Sequence, residues 1–329
     1  GGHIIATALL ARHRQLGFET WIREPSTMNL LAGDYNVRHP LADDIVSSLV
    51  GQIPRRFHSK QLWQLVDEPL RGRALRAAAR LEPAFLDDST VDELIILVRE
   101  GDTELLGLLW EVRDTPGHPL NAEALDRALR TMGVVDRDLR WTEWLRYNHE
   151  EVLHDLERLD SRWRQEQLRA GDRLRARWVM WTLTSTVRRL RDQATHALYW
   201  FGYCDPEGLF ELTIDSLPVN DAYVGERMLA ASYGVAMRHQ NSDPEFGVYL
   251  KLFLEHLAMV LVGPMASAQT CHYLAHLYVR GIVVFATKFY PSLLPDGLQG
   301  TWSFAAPSPV QPLTDGDAGA DEVERTLHM

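Results

Sequence analysis

Lysine is nearly missing from this 329-residue chain: it occurs only at Lys60, Lys251 and Lys288, and arginine carries the rest of the positive charge. None of the three lysines lies in a G-x-x-x-x-G-K-[ST] loop, the arrangement that points successive backbone N–H groups and a lysine at a nucleotide's phosphates. Nucleotide hydrolysis within these residues is therefore not expected. G-x-S-x-G, H-E-x-x-H and C-x-x-C are missing as well. The only cysteines, Cys204 and Cys271, argue against a zinc ribbon or a disulfide framework and read as reduced, buried thiols of a cytoplasmic protein. Alternating period-2 patterns are scarce, which excludes a substantial sheet and leaves room for at most a strand or two between Phe18 and Val37. The most apolar late stretch, Leu257–Ala268, is broken by Gly263-Pro264 and is too short to span a bilayer. Ile4–Leu10 lacks the basic flank of a signal peptide. A net charge of −11 argues against broad nucleic-acid binding. The chain opens on Gly1-Gly2 and stops at Met329, as a piece of a longer protein would.

What remains is helix. Asp87-Asp88-Ser89 precedes a helix over Thr90–Arg99, Gly101-Asp102 breaks it, and Glu104–Val112 follows. Asn121 caps Ala122–Met132, which Gly133 ends. Earlier stripes fall at His3–Leu16, Leu41–Val50, Leu62–Val66 and Leu70–Leu81. Glu150–Trp178 is a charged block whose acids and arginines are spaced for pairs three and four apart on a solvated face.

Between Thr182 and Val235 one helical unit is written twice. Val187, Ala194 and Leu198 recur as Val224, Ala231 and Val235, 37 residues later, although Arg191 falls on Met228. That period is typical of helix-pair repeats. Thr186–Phe201 and Tyr223–Met237 are then inner helices, with Leu209–Leu217 outer, and Phe246–Val262 and Gln269–Phe289 continue the pairs. The expected fold is an all-α solenoid of stacked helix pairs, HEAT- or TPR-like. Residues 1–60 end a preceding, winged-helix-like mixed module, 61–300 form the helical repeat, and 301–329 are a Pro/Gly-rich flexible linker.

Four constellations bear on function. Trp141, Trp144 and Tyr147, with Arg137 at their start, are either core anchors or a protein-recognition hot spot, where Trp, Tyr and Arg are favoured. Arg169, Arg173 and Arg177, with Arg175 among them, read as a soluble helix surface or as an arginine-lined contact strip. Arg188, Arg191, Asp192, Asp221, Glu226 and Arg227 are spaced for an ion-pair ladder that fixes the stacking of successive helices, the alternative being a concave binding surface. His272 and His276 share a helical face, but Tyr273 replaces the glutamate of a zinc protease and no catalytic or metal role is assigned.

Arg-Asp-x-x-Trp-Thr at 137–142, Leu-Arg-Asp-x-Ala-Thr-x-Ala-Leu at 190–198 and Asp-x-Tyr-Val-x-Glu-Arg-x-x-Ala-Ala-x-Tyr-Gly at 221–234 resemble the STAND-type, NACHT-like ATPases of bacterial antiphage defence (the AVAST systems), as does His39-Pro-Leu-Ala-Asp-Asp-Ile to Pro54-Arg-Arg-Phe57. The resemblance spans roughly 39–290. It implies that the helical repeats are a sensor wrapping a viral protein such as a terminase or portal subunit. An ATPase module binding ATP and Mg, and an effector, would lie outside this segment, and the parent protein would self-associate on activation. Without the resemblance, a helical-repeat scaffold with no switch is the competing class, and an enzyme using His272, His276 and Glu255 a third.

Overall fold

The computed structural model describes residues 79, 86, 88–240, 243–262 and 272–294. The expectations for His3–Leu16, Leu41–Val50, Leu62–Val66, the 1–60 module and the 301–329 linker lie outside these residues, and so does Leu70–Leu81 except for Ala79.

All regular structure among the described residues is helical. Helix α1 (Asp88–Glu100) buries Val91, Leu94 and Val98, and α2 (Thr103–Val112) buries Leu105, Leu106 and Leu109. Asp102 starts α2 by accepting the Leu105 N–H at 3.0 Å. Helix α3 (Ala122–Arg130) starts where Asn121 accepts the Glu123 N–H at 2.9 Å. Gly133 does break the chain, but in extended conformation (φ −65°, ψ 157°) and at the N-cap of the next helix, so it is not a left-handed C-cap. That next helix is one rod in three parts: α4 (Val134–Arg137), a π-helical turn over Asp138–Thr142, and α5 (Glu143–Tyr147).

The charged block is two helices, not one solvated face. Helix α6 (His149–Arg164) and α7 (Asp172–Thr182) are separated by a turn in which Glu166 takes a positive φ of 58°. Asp155 and Asp160 of α6 and Asp172 and Arg175 of α7 are buried, because α6 is packed on α8 and both sides of α7 are covered. Its Ala176, Trp178, Val179, Met180 and Trp181 are all interior.

The repeat-like region follows as α8 (Arg188–Cys204), α9 (Pro206–Ser216), α10 (Ala222–Ala236), α11 (Pro244–Leu257) and α12 (Tyr273–Phe289), with a π-helical turn over Ala258–Val262 after α11. The Asp-Pro pairs at 205–206 and 243–244 are helix starts. Each proline occupies the first turn, where no N–H is needed, and each aspartate accepts a first-turn N–H, from Gly208 (2.9 Å) and Glu245 (3.0 Å). Asp221 does the same for α10 through Tyr223 (3.0 Å).

Two layers result. In the first, α6, α8, α10 and α12 pack side by side. Contacts run in register along them: Glu157 with Arg189, Asp160 with His196 and Trp163 with Phe201 between α6 and α8, then Asp192 with Arg227 and Tyr199 with Gly234 between α8 and α10. Sequence order increases on both partners each time, so these helices are parallel. In the second layer α7 packs on α9 and α9 on α11, while α3 covers the free side of α7. Alternate helices therefore return in opposite layers, the arrangement of a helical-repeat solenoid. Between them runs one continuous core that includes Leu190, Ala194, Leu198, Leu209, Val224, Leu229 and Val235. The residues of the 37-residue repeat are its interior positions: Ala194, Leu198, Val224, Ala231 and Val235 are buried, and Val187 is packed against them. No helix among the described residues is long and apolar enough to cross a membrane.

Candidate functional site

Trp141 and Arg137 face inward and offer no surface to a partner. Trp141 is 1% exposed, and its Nε1–H donates to the Trp181 carbonyl and to Thr184 Oγ1, both at 3.1 Å. Its ring stacks on Trp144 (5.4 Å, 9°) and meets Trp178 edge-on (5.3 Å), and Trp110 completes the cluster against Trp144 and Trp178. Arg137, wholly buried, donates to the Asn220 side chain and backbone and reaches Asp221 at 3.4 Å, clamping α4 to the α9–α10 corner. Burial raises the Asp221 carboxyl, and Arg137 pulls it back. Of the four residues read as a contact cluster, Trp144 is half-buried and only Tyr147 is open, at 87% exposure. Helical spacing placed them together, but the neighbours that cover Trp141 lie 40 residues away.

The arginine strip is mostly a set of inter-helix ties. Arg173 binds Asp205 in a two-pronged contact (2.7 and 3.0 Å), Glu207 at 2.8 Å and Glu211 at 3.3 Å, joining α7 to α9. The Asp205 and Glu207 hydrogen bonds hold this guanidinium above its ordinary value. Arg177 joins Asp126 of α3 (3.2 Å) and Asp215 of α9 (3.1 Å). Arg175 turns to the opposite side and is buried. Arg169 remains exposed, with its backbone N–H donating to Asp172 at 2.8 Å.

Half of the proposed ladder forms as read. Arg188 (3.4 Å) and Arg227 (2.7 Å) converge on Asp192, tying α8 to α10. Burial raises the Asp192 carboxyl, but the two guanidiniums outweigh it and hold it below the usual range. Glu226 continues toward α12 through His272, at 3.5 Å. Asp221 belongs instead to Arg137, and Arg191 lies over the Tyr223 ring (5.0 Å) and donates to the Ser185 carbonyl. Glu255 pairs along its own helix with Lys251 at 3.9 Å, while His272 faces Glu226 at 3.5 Å.

Two arrangements have no counterpart in the sequence reading. One is interior: Asp155, 3% exposed, accepts from Arg175 (2.6 Å), Arg158 (3.1 Å) and Arg113 (3.2 Å). Burial and the adjacent Arg175 push the Arg113 guanidinium down to about 10, so it stays charged at neutral pH. Arg113 also lies 3.7 Å over the Trp110 ring. No local spacing reveals a site built from residues 113, 155 and 175.

The other is on the outer side of the first layer. Tyr199, Trp200 and Tyr203 of α8, Tyr233 of α10 and Tyr278 of α12 form a half-exposed aromatic band across three parallel helices. Tyr199 meets Trp200 at 5.0 Å and Tyr233 meets Tyr278 at 6.1 Å. Arg164 (5.1 Å) and Arg238 (5.5 Å) both lie over Trp200, and Arg238 also covers Tyr203 at 4.8 Å. The band is held close by glycine. A Cβ at Gly234 would come 2.9 Å from the Tyr199 ring, and one at Gly281 would come 2.6 Å from the Tyr233 ring. No regular spacing in the sequence marks it: Tyr199, Tyr233 and Tyr278 lie 34 and 45 residues apart.

No family model, no curated protein and no solved structure matches this chain. Its function must therefore be argued from the site itself.

Proposed function

We propose that this chain is the recognition region of a larger STAND-type signalling NTPase, in which capture of a viral protein by the helical repeat releases an ATPase module to oligomerise and switch on an effector. The single observation that supports it most is the aromatic band flanked by Arg164 and Arg238. Trp, Tyr and Arg are the residues that supply most binding energy at protein interfaces. Here they are half-exposed, pre-packed against one another and carried on rigid parallel helices, so little side-chain freedom remains to be lost on binding. Parallel helices of a solenoid also present the extended surface needed to read a whole protein fold. In this proposal ATP and Mg act in the ATPase module outside these residues, and the segment itself has no catalytic role.

The test is co-expression with phage terminase and portal proteins followed by affinity capture. The expected result is a retained partner, lost at least tenfold on Arg238→Glu or Tyr203→Ala while the melting temperature is unchanged. Failure to retain any terminase or portal protein refutes the sensor proposal. Retention that stays the same whether or not the parent protein's ATPase is engaged supports a scaffold instead.

A further inference from the structure

The second layer carries a separate opening. A cleft of about 420 Å³ lies between α7, α9 and α11. Its floor is the stacked pair Phe210 and Phe253 (4.3 Å, 2°), both almost wholly buried, and its walls include Tyr249 and Leu252. The volume falls within the range of ordinary ligand sites. The apolar surface does not stop at the cleft. Val248 (57% exposed) and Leu252 (47%) lie one turn apart on α11, and Met259 (62%) follows in the π-helical turn. At 1.5 Å per residue the line from Val248 to Met259 is roughly 16 Å long. That length suits an elongated ligand better than a compact one.

The rim is acidic. Arg173 and Arg177 reach the cleft, but Arg173 is already taken by the largely buried Asp205, and Arg177 shares the largely buried Asp126 with Arg130, which lies nearer to it at 2.8 Å. Glu207, Glu211 and Asp215 then complete the same ties from the outside, with side chains 43%, 64% and 51% exposed. Five carboxylates thus meet three guanidiniums, and the excess negative charge lies at Glu207 and Glu211, which share Arg173 with Asp205. The Tyr249 hydroxyl is pushed up, first by desolvation and then by Glu245 and Glu207.

We propose that this cleft docks a basic amphipathic helix of a partner protein, with apolar side chains over Phe210, Tyr249 and Leu252 and lysines or arginines at Glu207 and Glu211. An apolar helix face laid in a hydrophobic groove is a recurring recognition mode. The acidic rim selects the charge of its flanks. The cleft lies on the layer opposite the aromatic band, and the proposal does not depend on the sensor function.

The experiment uses the full chain and three fluorescein-labelled 18-residue peptides: an amphipathic Leu/Lys helix, its Leu/Glu counterpart, and a scrambled Leu/Lys sequence. Fluorescence anisotropy should show binding of the amphipathic Leu/Lys helix alone, weakening as salt rises. Glu211→Lys and Leu252→Lys should each weaken it at least tenfold. Glu150→Lys, whose side chain is 85% exposed on α6, should leave it within twofold, which separates a site effect from attraction to the net charge of −11. Circular dichroism checks that each variant is folded; if Glu211→Lys is not, Leu252→Lys decides. Equal binding of the Lys and Glu helices overturns the proposal. So does an equal loss in Glu150→Lys, or unchanged affinity in both cleft variants.

Discussion

Replacing Asp155 by asparagine tests the interior of this fold most directly. Asp155 is the one carboxylate shared by Arg113 and Arg175, which are themselves 7% and 8% exposed. Asparagine keeps the shape but removes the charge, and it turns an amide donor toward groups that can only donate. Arg175 retains Asp114 at 3.3 Å, a partner whose side chain is 43% exposed, and among the described residues Arg113 is left without a carboxylate in contact. Breaking a buried ion pair by removing one partner costs about 3–5 kcal/mol, because an uncompensated charge stays inside. For an ordered body of this size about 4 kcal/mol corresponds to a melting temperature lower by roughly 10 °C. Thermal melts followed by circular dichroism at 222 nm read this out. Arg158→Ala is the internal comparison: it contacts the same carboxylate, but its side chain is 65% exposed, and it should cost under about 0.5 kcal/mol. The triple change Asp155→Leu, Arg113→Met, Arg175→Met should restore most of the loss, since apolar replacements of buried ion networks are often neutral or better. A fall of less than 3 °C in Asp155→Asn, or equal effects of Asp155→Asn and Arg158→Ala, would refute the claim that burial sets the strength of this network.

Two further outcomes follow from close packing and from buried histidines. Gly281→Ala sets a Cβ 2.6 Å from the Tyr233 ring, whereas at Gly225 the nearest atom is Leu217 Cδ2 at an ordinary 3.7 Å. Helix propensity favours alanine by about 1 kcal/mol at both sites, and overpacking costs about 1–3 kcal/mol, so Gly225→Ala should raise the melting temperature and Gly281→Ala lower it; equal shifts would contradict the close approach of α10 and α12. Burial lowers the pKa of His118, whose Nδ1 accepts the Leu120 N–H at 3.1 Å, and of His239, whose ring stacks on Phe246 at 3.9 Å. Both are kept neutral by the fold, so their contribution is whole above the unfolded value of about 6.5 and is lost as pH falls through the lowered folded value. The urea midpoint should drop between pH 7.5 and 5.5, and less so in His118→Asn; a flat midpoint would rule this out.

Much of the architecture was legible because it is written locally. Asp102 and Asn121 cap where their side chains reach first-turn amides, and the positions of the 37-residue repeat are interior because successive repeat units bury the same face. The Asp-Pro pairs at 205–206 and 243–244 are equally local signals of helix starts. The candidate site was less legible. Trp141 and Tyr147 lie on one short rod, yet one is 1% and the other 87% exposed, because residues six apart point about 120° away from each other on a helix and α7 covers only one side. The alternation of acids and arginines in 150–178 was visible, but whether a pair is solvated depends on what lies across from it.

The sequence by itself determined that the described residues are helical, where most of their helices begin and end, and which residues repeat, since capping, periodicity and proline act over a few residues. Only the tertiary structure decided which charges are buried. It also decided that Arg137 is a clamp while Arg238 lies open over Trp200, and that tyrosines from three helices form one surface. Those outcomes depend on neighbours tens of residues away, and burial, not spacing, sets whether an arginine ties helices together or waits for a partner.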